Sequence, residues 1–394
     1  MKPLRPTYAE IHLDCLEHNL AIIRENFPED TFLCPMIKAN AYGHSDVMIG
    51  SALEKWGVKH LGVCLVEEAI LLREVGIQSE ILIFRGFGES ELEYLDRFQL
   101  TPVVTDGKQL ELLIKRKRNV SVHLKFNTGM NRLGFEVEES AAIAQKIIEN
   151  PFINVEGILT HLADGESSLE EGSQTEQQLQ KMSQVIPHFD NWNPVVHALN
   201  SGGLICKIVA NRGAVPSPVN FWGRRRNWGL RPGICLYGYN PTAHVLEEEF
   251  LPVMSLKSHI QSFRRVKKGG KVSYNGTWTA PRDSVIGVVP IGYADGLPRI
   301  TSNQISFLIG DQMVPQVGRV CMDFLMVDAT SYVEHNPGYE NTNPEVTLFG
   351  WSDKDNVLSV EEMAKQSQTI TYEILSGISE RVPRVYKPLT RVPA

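Results

Sequence analysis

The chain has no run of apolar residues long enough to cross a bilayer, so a helical membrane protein is not expected. Its first residues, Met1-Lys2-Pro3-Leu4-Arg5-Pro6, lack the apolar core of a secretory signal, and the expected setting is the cytoplasm. Cysteines are few and scattered. Cys15, Cys34, Cys64, Cys206, Cys235 and Cys321 form no pair with metal-finger spacing, and a chain of 394 residues needs no disulfide staples. Most sit in apolar runs and read as small buried hydrophobes, so no metal centre is expected. Positive charge is also short. Lys and Arg number 39 against 46 Asp and Glu, and the net charge of −7 speaks against a nucleic-acid partner. The one basic run, Arg224–Arg226, reads as a solvated loop.

What is present is alternation. Apolar runs at Phe32–Ala39, His60–Leu65, Glu80–Phe84, Thr101–Thr105, Ser121–Phe126, Val155–Thr160, Val195–Ala198 and Gly233–Tyr237 read as strands. Stretches of helical period lie between them, at Asp46–Trp56, Glu67–Val75, Gln109–Arg118, Glu139–Glu149 and Glu170–Ile186. Eight strands alternating with helices predict an α/β fold, a (β/α)8 barrel. After Pro241 the texture changes to strand-like runs (Ser284–Pro290, Gln304–Ile309, Gln316–Val320) with Gly, Pro and Asp turns and one late helix, Val360–Gln366. A mostly β C-terminal domain follows from this, with a division into 1–243 and 244–394.

Chemistry in such barrels sits at the C-terminal ends of the strands. The first predicted strand ends in Ile37-Lys38-Ala39-Asn40, the sixth in Thr160-His161, the seventh in His197-Ala198-Leu199-Asn200-Ser201-Gly202-Gly203, and the eighth is flanked by Arg231. A lysine closing an apolar strand is costly to bury unless it is neutral, paired or covalently bound. A Schiff-base lysine meets that need; taken alone, Lys38 reads as a lysine snorkelling at the rim. Asn200-Ser201-Gly202-Gly203 fits a phosphate turn at a helix N-terminus, though an ordinary βα turn has the same composition. Lysine and phosphate turn on one face point together to pyridoxal phosphate.

Longer motifs carry a resemblance. Met36-Ile37-Lys38-Ala39-Asn40-Ala41-Tyr42-Gly43-His44 is similar to the cofactor-lysine signature of alanine racemases. His123 to Gly134, Leu230 to Gly238, Val272-Ser273-Tyr274, Ile291 to Gly296, Gly318 to Asp323 and Arg381 to Arg384 match the same family in order, so the resemblance spans the chain. It implies a pyridoxal-phosphate barrel followed by a β domain, with the segment near 7–14 crossing over to join that domain. It further implies a head-to-tail homodimer whose active sites are completed by the partner, acting on a small amino acid.

By that resemblance Lys38 holds the cofactor and serves one face of the substrate α-carbon, while Tyr274 from the partner serves the other. Two bases on opposite faces are what racemisation requires. Arg231 faces the pyridine nitrogen; being a donor only, it leaves the ring unprotonated and the electron sink weakened. Tyr42, Ser201, Gly233, Ile234 and Tyr293 hold the phosphate, with Asn200 beside them. His161 orients Arg231 or packs beside the ring. Arg132, Met322 and Asp323 line the substrate end. Lys125 keeps carbamylation open, with Arg132 as its partner, against an unmodified structural lysine.

Departures from the family pattern are Asn127 in place of Asp, Asn275 after Tyr274, the run His161–Gly165, an insertion at Pro216–Trp228, and Glu380 before Arg381, which puts substrate specificity in doubt. The expected activity is interconversion of L- and D-alanine. Rival readings are a serine or other amino-acid racemase of the same fold, a decarboxylase on a related fold, and a non-catalytic cofactor-binding protein. Arg231 and Tyr274 speak against the decarboxylase. The β domain with Tyr274, Met322 and Asp323 speaks against the binding protein.

Overall fold

Short apolar runs separated by amphipathic helices close into a ring of parallel strands in the computed structural model, which describes residues 4–168, 170–212, 228–244, 246 and 250–387. The chain forms two compact units, one of 17–41 and 46–250, the other of 1–16, 42–45 and 251–394. No helix among the described residues is long and apolar enough to cross a membrane.

In chain order the strands are β1 (Tyr8–Ile11), β2 (His60–Val63), β3 (Glu80–Ile83), β4 (Thr101–Val104), β5 (Val120–Asn127), β6 (Phe135–Glu136), β7 (Ile153–Leu159), β8 (Val195–Leu199) and β9 (Trp228–Leu230). The barrel runs β2-β3-β4-β5-β7-β8-β9, all parallel. Residues 32–37 close it. Leu33 bridges Leu230 and Met36 bridges Gly62, with Cys34 N–H on Leu230 C=O (2.9 Å) and Ile37 N–H on Gly62 C=O (2.8 Å). This closing segment makes isolated bridges, so the expected strand Phe32–Ala39 is shorter and looser than predicted, and at Lys38 it turns sharply. The expected strand Gly233–Tyr237 is a set of turns, with Leu236 N–H on Gly233 C=O and Tyr237 N–H on Ile234 C=O. Its residues are buried all the same, which is why an apolar run misled the reading. Of Pro216–Trp228 only the backbone of Trp228 is described; Arg224–Arg226 lie outside the described residues.

Two glycines show how tightly the barrel interior is filled. A Cβ on Gly157 of β7 would stand 2.1 Å from His123 Nδ1, and one on Gly229 of β9 would stand 2.2 Å from His197 Cβ. Gly157→Ala should therefore cost about 1–3 kcal/mol of stability, by overpacking. Urea unfolding monitored by fluorescence checks it; an unchanged midpoint would show that the ring of His123 can retreat.

The second unit holds β10 (Met254–His259), β11 (Ser262–Val266), β12 (Lys271–Val272), β13 (Trp278–Thr279), β14 (Ser284–Val289), β15 (Ser306–Ile309), β16 (Gln312–Pro315), β17 (Leu325–Asp328), β18 (Glu345–Trp351), β19 (Val357–Leu358) and β20 (Arg384–Tyr386). One sheet runs β16-β15-β18-β10-β1-β20 with β19 on β18, a second runs β11-β14-β17, and β12 pairs β13. The early strand β1 lies antiparallel to β10 and parallel to β20. The helix Val360–Gln366 is capped by Ser359, whose hydroxyl accepts from Glu361 and Glu362 N–H. Residues 316–320 form a single bridge, Gln316 to Val327, where a strand was expected.

Candidate active site

Lys38 is half-buried, and its ammonium has no hydrogen-bond or ion-pair partner among the described residues. It is followed by a run of left-handed residues: Ala39 (φ 53), Asn40 (φ 54), Ala41 (φ 51) and Tyr42 (φ 53), then Gly43 (φ 85). Side chains of L-residues disfavour this conformation by roughly 1–2 kcal/mol each. Three contacts hold the start of the run. Ala39 N–H donates to Glu68 Oε1 (2.7 Å), Asp46 N–H donates to Asn40 Oδ1 (3.0 Å), and Ala41 N–H donates to Ile37 C=O (2.9 Å).

Arg231, at the C-terminal end of β9, is buried to 3% exposure. Its Nη1 donates to His197 Nδ1 (2.9 Å), and its Nη2 to Thr160 C=O (2.8 Å), Ala198 C=O (3.2 Å) and His161 Nδ1 (3.4 Å). No carboxylate pairs with it among the described residues. Burial lowers its pKa to about 10, so it stays charged at neutral pH. Burial, and then the charge of Arg231, holds both His161 and His197 well below the usual imidazole range, so both are neutral.

Asn200 caps the helix Ser201–Asn211, its Oδ1 accepting from Gly203 N–H (3.1 Å) and its Nδ2 donating to Leu162 C=O (3.2 Å). Ser201 Oγ accepts from Gly233 N–H (3.0 Å) and Cys235 N–H (3.3 Å), which leaves its own proton to donate. Between those two donors the buried Ile234 N–H has no partner among the described residues. A free hydroxyl and an orphaned N–H at a helix N-terminus fit a phosphate.

Lys125, Arg132, Thr160 and His161 line one small cleft. Burial, helped by the charges of Arg132, Arg231 and Lys38, lowers the Lys125 pKa to about 8. Asn127, unusual for its position, ties the following turn. Its Oδ1 accepts from Asn131 N–H (2.9 Å), and its Nδ2 donates to Glu136 Oε1 (3.1 Å), a bond that an aspartate could not make.

The other unit carries the remaining residues singled out above. Tyr274 is 67% exposed on a turn where Ser273 (φ 64) and Asn275 (φ 62) are left-handed. Ser273 Oγ donates to Arg319 C=O (2.7 Å). A Cβ on Gly318 would stand 2.7 Å from Ser273 Cβ, so the turn rests directly on that glycine. Met322 and Tyr293 are exposed on adjoining loops joined by Tyr293 N–H on Cys321 C=O (3.0 Å) and Ala294 N–H on Met322 C=O (3.1 Å). Asp323 accepts from Arg381 Nη2 (2.7 Å). Tyr42 is buried, its ring 6.0 Å from that of Tyr372, and Glu380 is exposed.

Sequence reasoning missed His123 and His197. Their ring nitrogens meet at 2.9 Å, and His197 is the direct partner of Arg231. The available signal was their shared place in the apolar runs of two barrel strands.

Comparison with known proteins gives one answer throughout. The family model for the N-terminal domain of alanine racemase matches residues 11–241, and that for the C-terminal domain matches 253–386. An alanine racemase of Halothermothrix orenii is 34% identical over 97% of either chain. That of Sorangium cellulosum is 35% identical over 98% of this chain and all of its own. Among solved structures, alanine racemase of Clostridium difficile 630 superposes with a TM-score of 0.84 at 32% identity, covering 98% of this chain and 97% of that one. Alanine racemase of Bartonella henselae with covalently bound pyridoxal phosphate superposes at 0.81 with 26% identity, over 97% and 99%. The chain belongs to the alanine racemase family.

Proposed function

We propose that this chain is a pyridoxal-phosphate-dependent enzyme that interconverts L- and D-alanine. The observation that carries the reading is the buried Arg231, a donor-only cation beside the phosphate-type helix terminus. The domains assigned to the work are 1–243 for the cofactor and 244–394 for the β domain, which takes up the early strand near 7–14. The protein acts in the cytoplasm as a homodimer and supplies D-alanine for a bacterial cell wall.

Pyridoxal phosphate, when bound, draws electrons from the substrate α-carbon and so acidifies its proton. The residues of the chain do the rest. Lys38 Nζ would hold the cofactor covalently, and as a free amine it would take or return a proton on one face of the α-carbon. Tyr274 Oη from the partner's β domain does the same on the other face. A proton removed by one and replaced by the other inverts the centre. Arg231 donates toward the ring nitrogen and supplies no proton to it, which limits the electron sink and suppresses side reactions. Ser201 Oγ–H and Ile234 N–H bind the phosphate, with Tyr42, Tyr293, Gly233 and Asn200 around it. His161 orients Arg231. Arg132, Met322 and Asp323 hold the substrate carboxylate end, with Met322 contributing its N–H.

Lys125 is assigned as a carbamate that fixes Arg132. A neutral amine is the reactive form, and with a pKa of about 8 it is populated at mildly alkaline pH. At constant dissolved carbon dioxide, carbamylation should rise as pH increases through 8. Intact-protein mass spectrometry under native conditions, reading the mass of one added carbon dioxide lost in K125A, checks it. The same unmodified mass at pH 7 and pH 9 would make Lys125 a plain structural lysine.

Chiral chromatography of a mixture of L-amino acids incubated with the purified protein and pyridoxal phosphate tests the whole reading. D-alanine is the expected main product. D-serine appearing first would keep the chemistry and move the substrate, with Glu380 the first residue to suspect. No D-product from cofactor-loaded protein would sink the proposal.

A further inference from the structure

Arg5 lies just before β1 and belongs to the same compact unit as residues 251–394. Its guanidinium is held on four sides. Nη1 donates to Asp295 Oδ1 (2.7 Å) and to Arg381 C=O (3.1 Å), and Nη2 donates to Asp295 Oδ2 (3.0 Å) and to Pro290 C=O (3.1 Å). A planar fork matched to both oxygens of a carboxylate is a geometry that arginine offers and lysine does not. Asp295 is fully buried, and a carboxylate in that setting keeps its charge only when paired and hydrogen-bonded. It also accepts from Gly292 N–H at Oδ2 (3.2 Å), and Arg381 Nε stands 3.6 Å from its Oδ1. Thr7 Oγ1 adds a second donor to Pro290 C=O (2.8 Å).

The segment held in this way, 290–297, carries Tyr293. It lies flush against the segment 321–324, which carries Met322 and Asp323. A Cβ on Gly292 would stand 2.2 Å from the carbonyl oxygen of Cys321 and 2.4 Å from that of Met322. The same two carbonyls accept from Tyr293 N–H and Ala294 N–H. A third segment, 377–381, closes the stack. Asp295 C=O accepts from Ser379 N–H (3.1 Å), and a Cβ on Gly296 would stand 2.4 Å from the carbonyl oxygen of Gly377. Arg381 Nη2 donates to Asp323 Oδ1 (2.7 Å). Arg5, Asp295, Arg381 and Asp323 thus alternate in sign, each within 3.6 Å of the next. The backbone is tied at every step, while the side chains of Tyr293 and Met322 stay exposed.

We propose that Arg5 and Asp295 are positioning residues whose bidentate pair locks 290–297 and 321–324 into one wall, and that this wall presents Tyr293, Met322 N–H and Asp323 to the active site of the partner subunit. The proposal rests on the roles of those three residues, and on the shared site, assigned above. Neither Arg5 nor Asp295 is assigned a contact with cofactor or substrate; they act through the backbone they hold. Arg5 therefore serves the site of the neighbouring chain and not the one built around its own Lys38. A buried ion pair that only stabilised the fold would change the melting temperature and leave the kinetics of the folded enzyme as they were.

R5M alone strands the Asp295 carboxylate in the interior, so R5M/D295N, which removes that charge, is measured beside it. In the cofactor-saturated double variant the visible absorption should match wild type. KM for L-alanine should rise about tenfold with kcat within about threefold, the pattern for losing a contact made equally in ground and transition states. Unchanged KM in the folded variant would reduce the pair to a stability element. Hybrid dimers of R5M/D295N with K38A, isolated through two different affinity tags, test the direction. Their one site with a native Lys38 takes its wall from the K38A chain, so its KM should be that of wild type; a raised KM would overturn action on the partner's site. Amide hydrogen exchange in 291–297 and 320–324 should be at least about tenfold faster in R5M/D295N, with β10 unchanged. Full protection of 320–324 would sever the pair from Met322. Exchange needs no turnover, so if wild-type protein racemises nothing the functional reading fails while the wall is still decided.

Discussion

Replacing Lys38 with alanine is expected to abolish the visible absorption of covalently held cofactor and to lower kcat by at least about 10⁴-fold, because one amine serves as both tether and base. Lys38 has no partner to leave behind and is only half-buried, so folding should be little affected. A small primary amine added to the K38A protein should restore part of the turnover by replacing the missing nitrogen. Retention of the absorption band would move the tether to another lysine, and Lys125 would be the first to examine. Full turnover without the band would remove the cofactor from the mechanism.

Tyr274→Phe is expected to keep the cofactor spectrum and the thermal midpoint while lowering racemisation by about 10²–10⁴-fold, the range for loss of one acid–base group. The ring is largely exposed, and the turn beneath it is held by Ser273 and Gly318 and not by the phenol. The sharper readout is exchange of the α-proton in deuterium oxide. Exchange should continue from one enantiomer, handled by Lys38, and stop from the other. Equal loss from both would defeat the assignment of one base to each face. Mixing the inactive K38A and Y274F proteins adds a test of the shared site. Hybrid dimers contain one site with both native groups, so activity should return. No recovery after demonstrated subunit exchange would put Lys38 and Tyr274 of one chain in the same site.

The parallel barrel was legible because strands buried on both faces must be apolar throughout and helices between them must be amphipathic. Residues 233–237 show the limit of that signal. They are as apolar and buried as a strand, and only their turn hydrogen bonds distinguish them. Lys38, Ser201 and Arg231 were legible from their motifs and from the rule that barrel chemistry collects at strand ends. His197, the partner of Arg231 Nη1, was not, since it lies 74 residues from His123 and the two rings meet only when the barrel closes. Nothing in the sequence marks Gly157 or Gly229 as packed against His123 and His197.

The left-handed residues after Lys38 bear on how this protein could be made more stable. Four side chains in a row occupy a backbone region that glycine enters freely, so glycine at 39 or 41 would relieve native strain even as it loosens the unfolded chain. A search for thermostable variants could therefore select such glycines. The same change would let Lys38 swing through a wider arc, and the gain in melting temperature would come with a fall in turnover. Alanine, asparagine and tyrosine at these positions trade thermodynamic comfort for a lysine that has few places to go.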